Sequence, residues 1–189
     1  MKHENNEEGT DNSRIKRFGT ARIVEHSLAI AVVGTLAATG LSQRFYELEL
    51  SQWFFLRMQG VDNVRIVHRY AGVIFAVMSF LHVAIAIGGV SLRKWQPTML
   101  ITKNDILDAI HNIRYYIGFE ENPARCGRYD YKQKFGYWAI IVGGFFMTAT
   151  GLILWFPALV ARFVSGEVIP VSKALHSNEG LLIFLIIAV

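Results

Sequence analysis

One apolar stretch, Val64–Val90, limits what this chain can fold into more than any other part of the sequence. It is long enough to cross a bilayer, because a spanning helix needs about 20 predominantly apolar residues. His68 and His82 lie inside it, 14 residues apart, which on a helix is a rise of about 21 Å and almost four turns. The two imidazoles therefore lie at different depths on nearly the same side of the helix. Ionisable side chains inside a membrane helix are costly and indicate a functional site.

Three interpretations of this histidine pair are open. Histidine is a usual axial ligand of haem iron, and further histidines on other apolar segments favour that interpretation. Alternatively, the histidines bond to polar groups of neighbouring helices in a non-haem membrane anchor, or they relay protons in a transporter. The second and third apolar segments carry no Asp or Glu, and the sequence shows no inverted repeat, both of which disfavour a transporter.

The composition is that of an integral membrane protein. Hydrophobic residues make up 52% of the chain and charged residues only 18%, which is too apolar for a typical soluble domain of this size. Cys126 is the single cysteine, so the chain has no disulfide framework, no c-type haem attachment and no iron–sulfur cluster of its own. A haem would then be held non-covalently. No DNA- or RNA-binding pattern is visible, and we interpret the net charge of +4 as a signal of membrane orientation.

Four apolar segments predict an all-α integral membrane protein, a four-helix transmembrane bundle with interfacial helices. Residues 1–13 are polar and acidic and predict a disordered tail, whereas residues 14–189 predict one membrane domain. The fourth segment is too short to span, and we expect the fourth helix to be truncated at the C-terminus. The predicted spans are residues 21–41, 64–90, 137–156 and 174–189.

Two connecting segments predict helices that lie at the membrane surface. Residues 43–60 are too charged to span but are rich in aromatic residues, which is typical of an interfacial segment. Residues 104–119 carry a helical stripe of isoleucines, whereas His111 falls off that stripe and is expected to be solvated or bonded at the surface. The stripe consists of Ile106, Ile110, Ile113 and Ile117.

The distribution of Lys and Arg predicts the orientation. The tail, the entrance of the first span and the loop between the second and third spans carry 13 basic residues, against five in the two opposite connections. The N-terminus is therefore expected to be cytoplasmic. This orientation sorts the membrane histidines into two levels: His26 and His82 toward the cytoplasm, and His68 and His176 toward the outside.

Small residues near each histidine support the sorting of the histidines into two haem levels. A flat macrocycle beside a ligating histidine needs small side chains on that face of the helix. Small residues are also common in membrane helices for packing alone. The candidate haem-packing residues, each three or four positions after a histidine, are Ala29, Gly72, Ala86 and Gly180.

Four segments together resemble a known family. They are ARIVEHSLAIAVVGTLAATG, VRIVHRYAG, GRYDYKQKFGYWAIIVGGFFMTATGLILWFP and LHSNEGLLIF. The chain from about residue 14 to residue 189 is similar to the membrane gamma subunit of respiratory formate dehydrogenases. It is also similar to the related di-haem cytochrome b subunits of nickel–iron hydrogenases and similar reductases.

The resemblance implies four membrane helices that hold two haem b groups. Three of the family's ligand positions match His26, His68 and His176, which makes the outer haem, between His68 and His176, the safer assignment. The fourth ligand would fall 14 residues after His176, one position past Val189. His82 is not a ligand in the family pattern, so the inner partner of His26 is either His82 or a residue beyond Val189.

The resemblance also implies a quinone site near the inner haem, at the polar entrance of the third span. The matching residues are Tyr129, Asp130, Gln133 and Lys134. The family usually has Asn at the position of Asp130; a carboxylate there could exchange a proton with a quinone, whereas an amide can only form hydrogen bonds. We expect Lys134 to lower the pKa of Asp130. The alternative is a charged helix flank without a ligand.

These features predict an electron-transfer subunit of a prokaryotic cytoplasmic (inner) membrane, not the subunit that performs the primary reaction. The implied partners are iron–sulfur and catalytic subunits, and the implied substrate is menaquinone or ubiquinone. Formate, hydrogen, thiosulfate or another donor would act through those partner subunits.

Overall fold

The computed structural model describes residues 20–94, 96–127 and 129–188, and every regular element within them is a helix. This confirms the predicted all-α class. The predicted tail, residues 1–13, lies outside the described residues. The helices are α1 (Thr20–Arg44), α2 (Glu49–Arg57), α3 (Val61–Ser91), α4 (Lys103–Tyr116), α5 (Tyr131–Trp155), α6 (Pro157–Val160) and α7 (Val168–Ala188).

The four long helices contact one another in a closed ring. α1 packs on α3, α3 on α5, α5 on α7, and α7 returns to α1. α3 and α7 are therefore diagonally opposite across the centre of the ring. Within the part of the chain that the structure describes, three helices are long and apolar enough to cross a membrane, over Ile23–Arg44, Val61–Ser91 and Tyr131–Trp155.

Two of the long helices extend further toward the N-terminus than the predicted membrane spans. α5 begins at Tyr131 rather than near residue 137, because Asp130 caps it: the carboxylate accepts a hydrogen bond from the backbone N–H of Lys132 at 3.1 Å. α7 begins at Val168 rather than near residue 174. Pro170 does not prevent this, because the N–H groups of a helix's first turn have no partner inside the helix.

The interior of the ring is lined by small and hydroxyl-bearing side chains, as is usual where membrane helices approach closely. Val64 and Thr39 are almost completely buried, at 0% and 1% exposure. Gly143 of α5 faces Ile183 of α7, and a Cβ added there would lie 3.2 Å from that side chain. Most large apolar side chains point outward instead, which suits contact with lipid tails. Examples are Ile30, Phe80, Ile85, Phe145 and Leu182.

The predicted surface helix is present as α4, and a buried ion pair fixes it to the start of α5. Nζ of Lys134 lies 2.8 and 2.9 Å from the two carboxylate oxygens of Asp105, which is itself buried. The indole N–H of Trp138 donates to the carbonyl of Met99, 2.9 Å away. The isoleucine stripe remains exposed on the opposite side, at Ile106, Ile110, Ile113 and Ile117.

Candidate haem site

His68 of α3 and His176 of α7 meet across the centre of the helix ring. Their ring centroids are 6.1 Å apart, and the ring planes are inclined by 78°. Both residues are partly buried. The structure thus brings together the two histidines that the sequence sorted to the outer level, although 108 positions separate them in the chain.

Each of these imidazoles is bonded to a buried threonine on a neighbouring helix. Nδ1 of His68 lies 2.8 Å from Oγ1 of Thr39 on α1. Nδ1 of His176 lies 3.0 Å from Oγ1 of Thr150 on α5. The two contacts have the same chemistry and nearly the same length, so the two halves of the site are built alike.

The neighbours of the threonines decide which partner donates. Oγ1 of Thr39 lies 2.6 Å from the carbonyl oxygen of Thr35, and Oγ1 of Thr150 lies 2.7 Å from that of Phe146. A carbonyl oxygen can only accept, so each short contact uses the hydroxyl proton. The threonine oxygen must then accept the N–H of the histidine. Nδ1 is therefore protonated in both rings, and each Nε2 keeps the lone pair that a metal requires.

This donor set fits a b-type haem. A porphyrin occupies four positions on its iron and leaves two axial ones, so two neutral imidazoles are a complete protein contribution. A tetrahedral zinc site, by comparison, needs at least three protein ligands. A metal-binding histidine typically donates its other ring N–H to an acceptor, which fixes the tautomer, and both threonines act in this way.

The glycines that contact the imidazoles differ from those that the sequence suggested. A Cβ on Gly40 would lie 3.2 Å from Cε1 of His68, and a Cβ on Gly151 would lie 3.3 Å from Cε1 of His176. A Cβ on Gly72 would meet nothing within 4 Å, whereas one on Gly180 would touch the methyl of Met147 at 3.4 Å. Of the two candidate glycines, Gly72 borders open space and Gly180 does not. The candidate alanines, Ala29 and Ala86, are partly buried.

The sequence analysis missed Thr39 and Thr150. A signal for them was present, because the tetrapeptide Ala-Thr-Gly-Leu occurs at residues 38–41 and again at residues 149–152. Each copy places a threonine and a glycine beside one histidine of the pair. The repeat lies in apolar segments, where small residues usually indicate packing alone.

The surroundings of His26 and His82, which the sequence sorts to the inner level, differ from those of His68 and His176. Nδ1 of His82 lies 2.9 Å from a carboxylate oxygen of Glu25, and Nε2 lies 3.2 Å from the hydroxyl of Tyr137. Both ring nitrogens of His82 thus contact protein groups on α1 and α5. His26, beside Glu25, has an exposed side chain.

The candidate quinone residues lie around the first turn of α5. Asp130 is its cap, and Gln133 is exposed. Our expectation that Lys134 acts on Asp130 needs correction, because its ammonium group binds Asp105 of α4. The short distance along the sequence favoured Asp130 as the partner of Lys134, whereas the fold places Asp105 of α4 against this turn. Tyr129 is partly buried and makes contacts of its own.

Comparison with known proteins identifies the family. Residues 17–189 match the prokaryotic cytochrome b561 family. The chain belongs to this family. It is 28% identical over 179 residues to the formate dehydrogenase cytochrome b556(fdo) subunit of Escherichia coli K12, covering 93% of this chain and 76% of that protein. It is 27% identical over 150 residues to the nitrate-inducible cytochrome b556(Fdn) subunit of the same strain, covering 78% of this chain and 62% of that protein.

Membership of the prokaryotic cytochrome b561 family implies a b-type haem. Among the described histidines, His68 and His176 are the pair whose rings approach each other. The neutral imidazole pair is thus compatible with the family's haem chemistry.

Proposed function

We propose that this cytochrome b561-family protein is the membrane electron-transfer subunit of a respiratory oxidoreductase complex and carries electrons between a partner enzyme and quinone. The observation that carries the proposal is the His68–His176 pair inside the helix ring, with both Nδ1 atoms held by threonines. A haem bound there supplies one-electron redox chemistry. The protein supplies the two ligands, their orientation and a surrounding of low polarity.

The membrane arrangement of the proposal has four spans. Among the described residues, three helices have the length and hydropathy for crossing, and α7, with 21 residues, closes the ring with them. With the N-terminus in the cytoplasm, the end of α1 and the start of α3 lie toward the outside. His68 and His176 then form the outer haem level, where a partner's iron–sulfur subunit delivers electrons.

A second haem is proposed at the inner level, with His26 as one ligand. His82 is the candidate partner for His26 among the described residues. Ligation through Nε2 of His82 requires that this atom give up its contact with Tyr137, while Glu25 remains on Nδ1. A carboxylate on the other ring nitrogen is a usual companion of a metal-binding histidine, which supports His82 in this role.

The quinone is proposed to bind beside the first turn of α5, near Tyr129, Asp130, Gln133 and Lys134. Reduction of a quinone to a quinol takes two electrons and two protons. The protons come from cytoplasmic water at this polar turn, and the electrons come from the inner haem. At this turn the carboxylate of Asp130 accepts hydrogen bonds from the thiol of Cys126 and the backbone N–H of Lys132, whereas the ammonium group of Lys134 is bonded to Asp105. The quinone is menaquinone or ubiquinone.

The partner enzyme is proposed to be similar to formate dehydrogenase, because two relatives are named as cytochrome subunits of formate dehydrogenases. Iron–sulfur and catalytic subunits follow as partners. A hydrogenase, a thiosulfate reductase or another reductase would use the same membrane subunit chemistry. The site described above is compatible with each of them.

A reduced-minus-oxidised visible spectrum of the purified full chain, together with the haem-to-protein ratio, tests the proposal. We expect the α-band of a low-spin b-type cytochrome and up to two haems per chain. A protein that folds and purifies without haem would contradict the electron-transfer role and favour a non-haem anchor. Co-purification with iron–sulfur and catalytic subunits from the native membrane tests the partner assignment separately.

A further inference from the structure

Thr39 and Thr150 occupy equivalent places in two halves of the outer site. Thr39 lies on α1 and contacts the histidine of α3, and Thr150 lies on α5 and contacts the histidine of α7. Both threonines are buried, at 1% and 7% exposure. A glycine follows each one and lies against Cε1 of the same imidazole. The helix pairs α1–α3 and α5–α7 thus repeat one local unit.

The hydrogen bonds of this unit form a chain of fixed direction. The imidazole N–H donates to the threonine oxygen, and the threonine hydroxyl donates to a helix carbonyl four residues earlier. The carbonyl belongs to the backbone of a helix and does not turn. The chain therefore fixes which imidazole nitrogen is protonated and holds the ring against rotation. Hydrogen bonds in such chains also strengthen one another.

We propose that Thr39 and Thr150 are positioning residues that hold His68 and His176 as neutral, Nε2-ligating imidazoles and raise their basicity toward the haem iron. The inference rests on the proposed haem function. A hydrogen bond from Nδ1–H raises ligand basicity, and a more basic ligand stabilises the ferric form. The two threonines therefore lower the midpoint potential of the outer haem, each acting through its own histidine.

Valine tests this inference, because it has nearly the shape of threonine but lacks the hydroxyl. In T39V and T150V, Nδ1–H loses the threonine oxygen as an acceptor inside an apolar interior. We expect the midpoint potential of the outer haem, measured by optical redox titration of the full chain, to rise in both variants and to rise further in the double variant. Changes around metal ligands of this kind typically weaken binding by about 10–100-fold, so haem retention is a second readout.

Two sets of controls separate the effect of losing the hydroxyl group from the effect of changed packing. T39S and T150S keep the hydroxyl and should retain a potential close to that of the wild type. T35V and T148V each remove a hydroxyl on the same two helices that donates to a backbone carbonyl, that of Ala31 at 2.9 Å and that of Gly144 at 2.8 Å. These two variants should leave the potential unchanged.

Each of the following results either supports or overturns the inference. A raised potential in the valine variants, or haem lost in them and kept in the serine variants, supports it. An unchanged or lowered potential with haem retained, or the same haem loss in the valine and serine variants, overturns it. If the wild-type chain binds no haem, or if its haem does not depend on His68 and His176, the proposed function itself has failed, which is a distinguishable result.

Discussion

Nδ1 of His68 lies 2.8 Å from the hydroxyl oxygen of Thr39, a residue 29 positions earlier on a different helix. Because the threonine proton is used by a carbonyl 2.6 Å away, the imidazole must be the donor. This one contact determines the tautomer of the ring and leaves Nε2 available to a metal. A corresponding contact at His176 makes the pair suitable as two axial ligands.

Replacing His68 with Ala should remove about one haem per chain, because one axial ligand of the outer haem is lost. The pyridine haemochrome assay on purified protein measures this. H111A is the matched control, since His111 lies on the surface helix and its Nε2 contacts the carbonyl of Asn122. An unchanged haem content in H68A would show that this histidine is not a ligand.

Gly40 and Gly34 on α1 should respond differently to alanine. Alanine is favoured over glycine in a helix by about 1 kcal/mol, and a Cβ on Gly34 meets nothing within 4 Å, so G34A should stabilise the protein slightly. In G40A the new methyl lies 3.2 Å from the His68 ring and must displace it. We expect G40A to lose haem or to show a shifted visible spectrum, and we expect G34A to do neither. If G40A and G34A have equal spectra and equal haem contents, the close approach of α1 to His68 is contradicted.

The ion pair between Asp105 and Lys134 should make stability depend on acid pH. The hydrogen bond from Lys134 lowers the pKa of Asp105 from 3.8 to about 2. A lowered carboxyl pKa stabilises the folded state above the unfolded pKa, and this contribution disappears as the pH falls from about 4 toward 2. D105N should therefore melt at a lower temperature than the wild type at pH 6, and the difference should shrink below pH 4.

Thermal unfolding in detergent across this pH range measures that effect. D108N, one turn further along the same helix, is the control. The difference in melting temperature between D108N and the wild type should not shrink in the same way below pH 4. If the difference in melting temperature between D105N and the wild type stays constant down to pH 2, the ion pair does not account for the stability of the α4–α5 contact.

Labelling with a membrane-impermeant maleimide should place the loop between α4 and α5 in the cytoplasm. Cys126 is a poor reporter, because burial and the nearby Asp130 raise the pKa of its thiol and so reduce the reactive thiolate. In a C126S background, E121C should label only after the cells are permeabilised, since Glu121 is exposed on this loop. G166C lies on the opposite connection, where a Cβ meets nothing within 4 Å, and should label in intact cells; the reverse pattern would invert the orientation.

Asp130→Asn should impair quinone reduction without disturbing either haem. Asparagine remains a good helix cap but cannot exchange a proton, and positioned acid–base groups contribute about 10²–10⁴-fold to rates. Haems reduced through the donor should therefore be reoxidised by a soluble quinone analogue at least about tenfold more slowly. E121Q, on the same loop, is the control. Reoxidation of D130N at the wild-type rate would move the pocket toward the groove of α4 that His111 lines.

Helix boundaries show where sequence patterns stop being informative. Each predicted span overlaps one long helix, because lipid-facing and interior residues are both apolar or small. The predicted spans leave out the polar first turns of α5 and α7, which look like loops when hydropathy alone is considered. The cap formed by Asp130 and the tolerated position of Pro170 depend on backbone geometry that a hydropathy profile does not represent.

The sequence by itself determined the all-helical class, and it predicted the depths of His68 and His176 and, through 13 basic residues against five, the orientation. Each of these follows from spacing along one helix or from a charge balance, which are local properties. Only the tertiary structure decided that Thr39 and Thr150 hold the two imidazoles, that Lys134 binds Asp105, and that Glu25 and Tyr137 contact His82. The physical reason is that each of these hydrogen bonds joins different helices, and helix periodicity fixes the direction of a side chain but not the group that it meets.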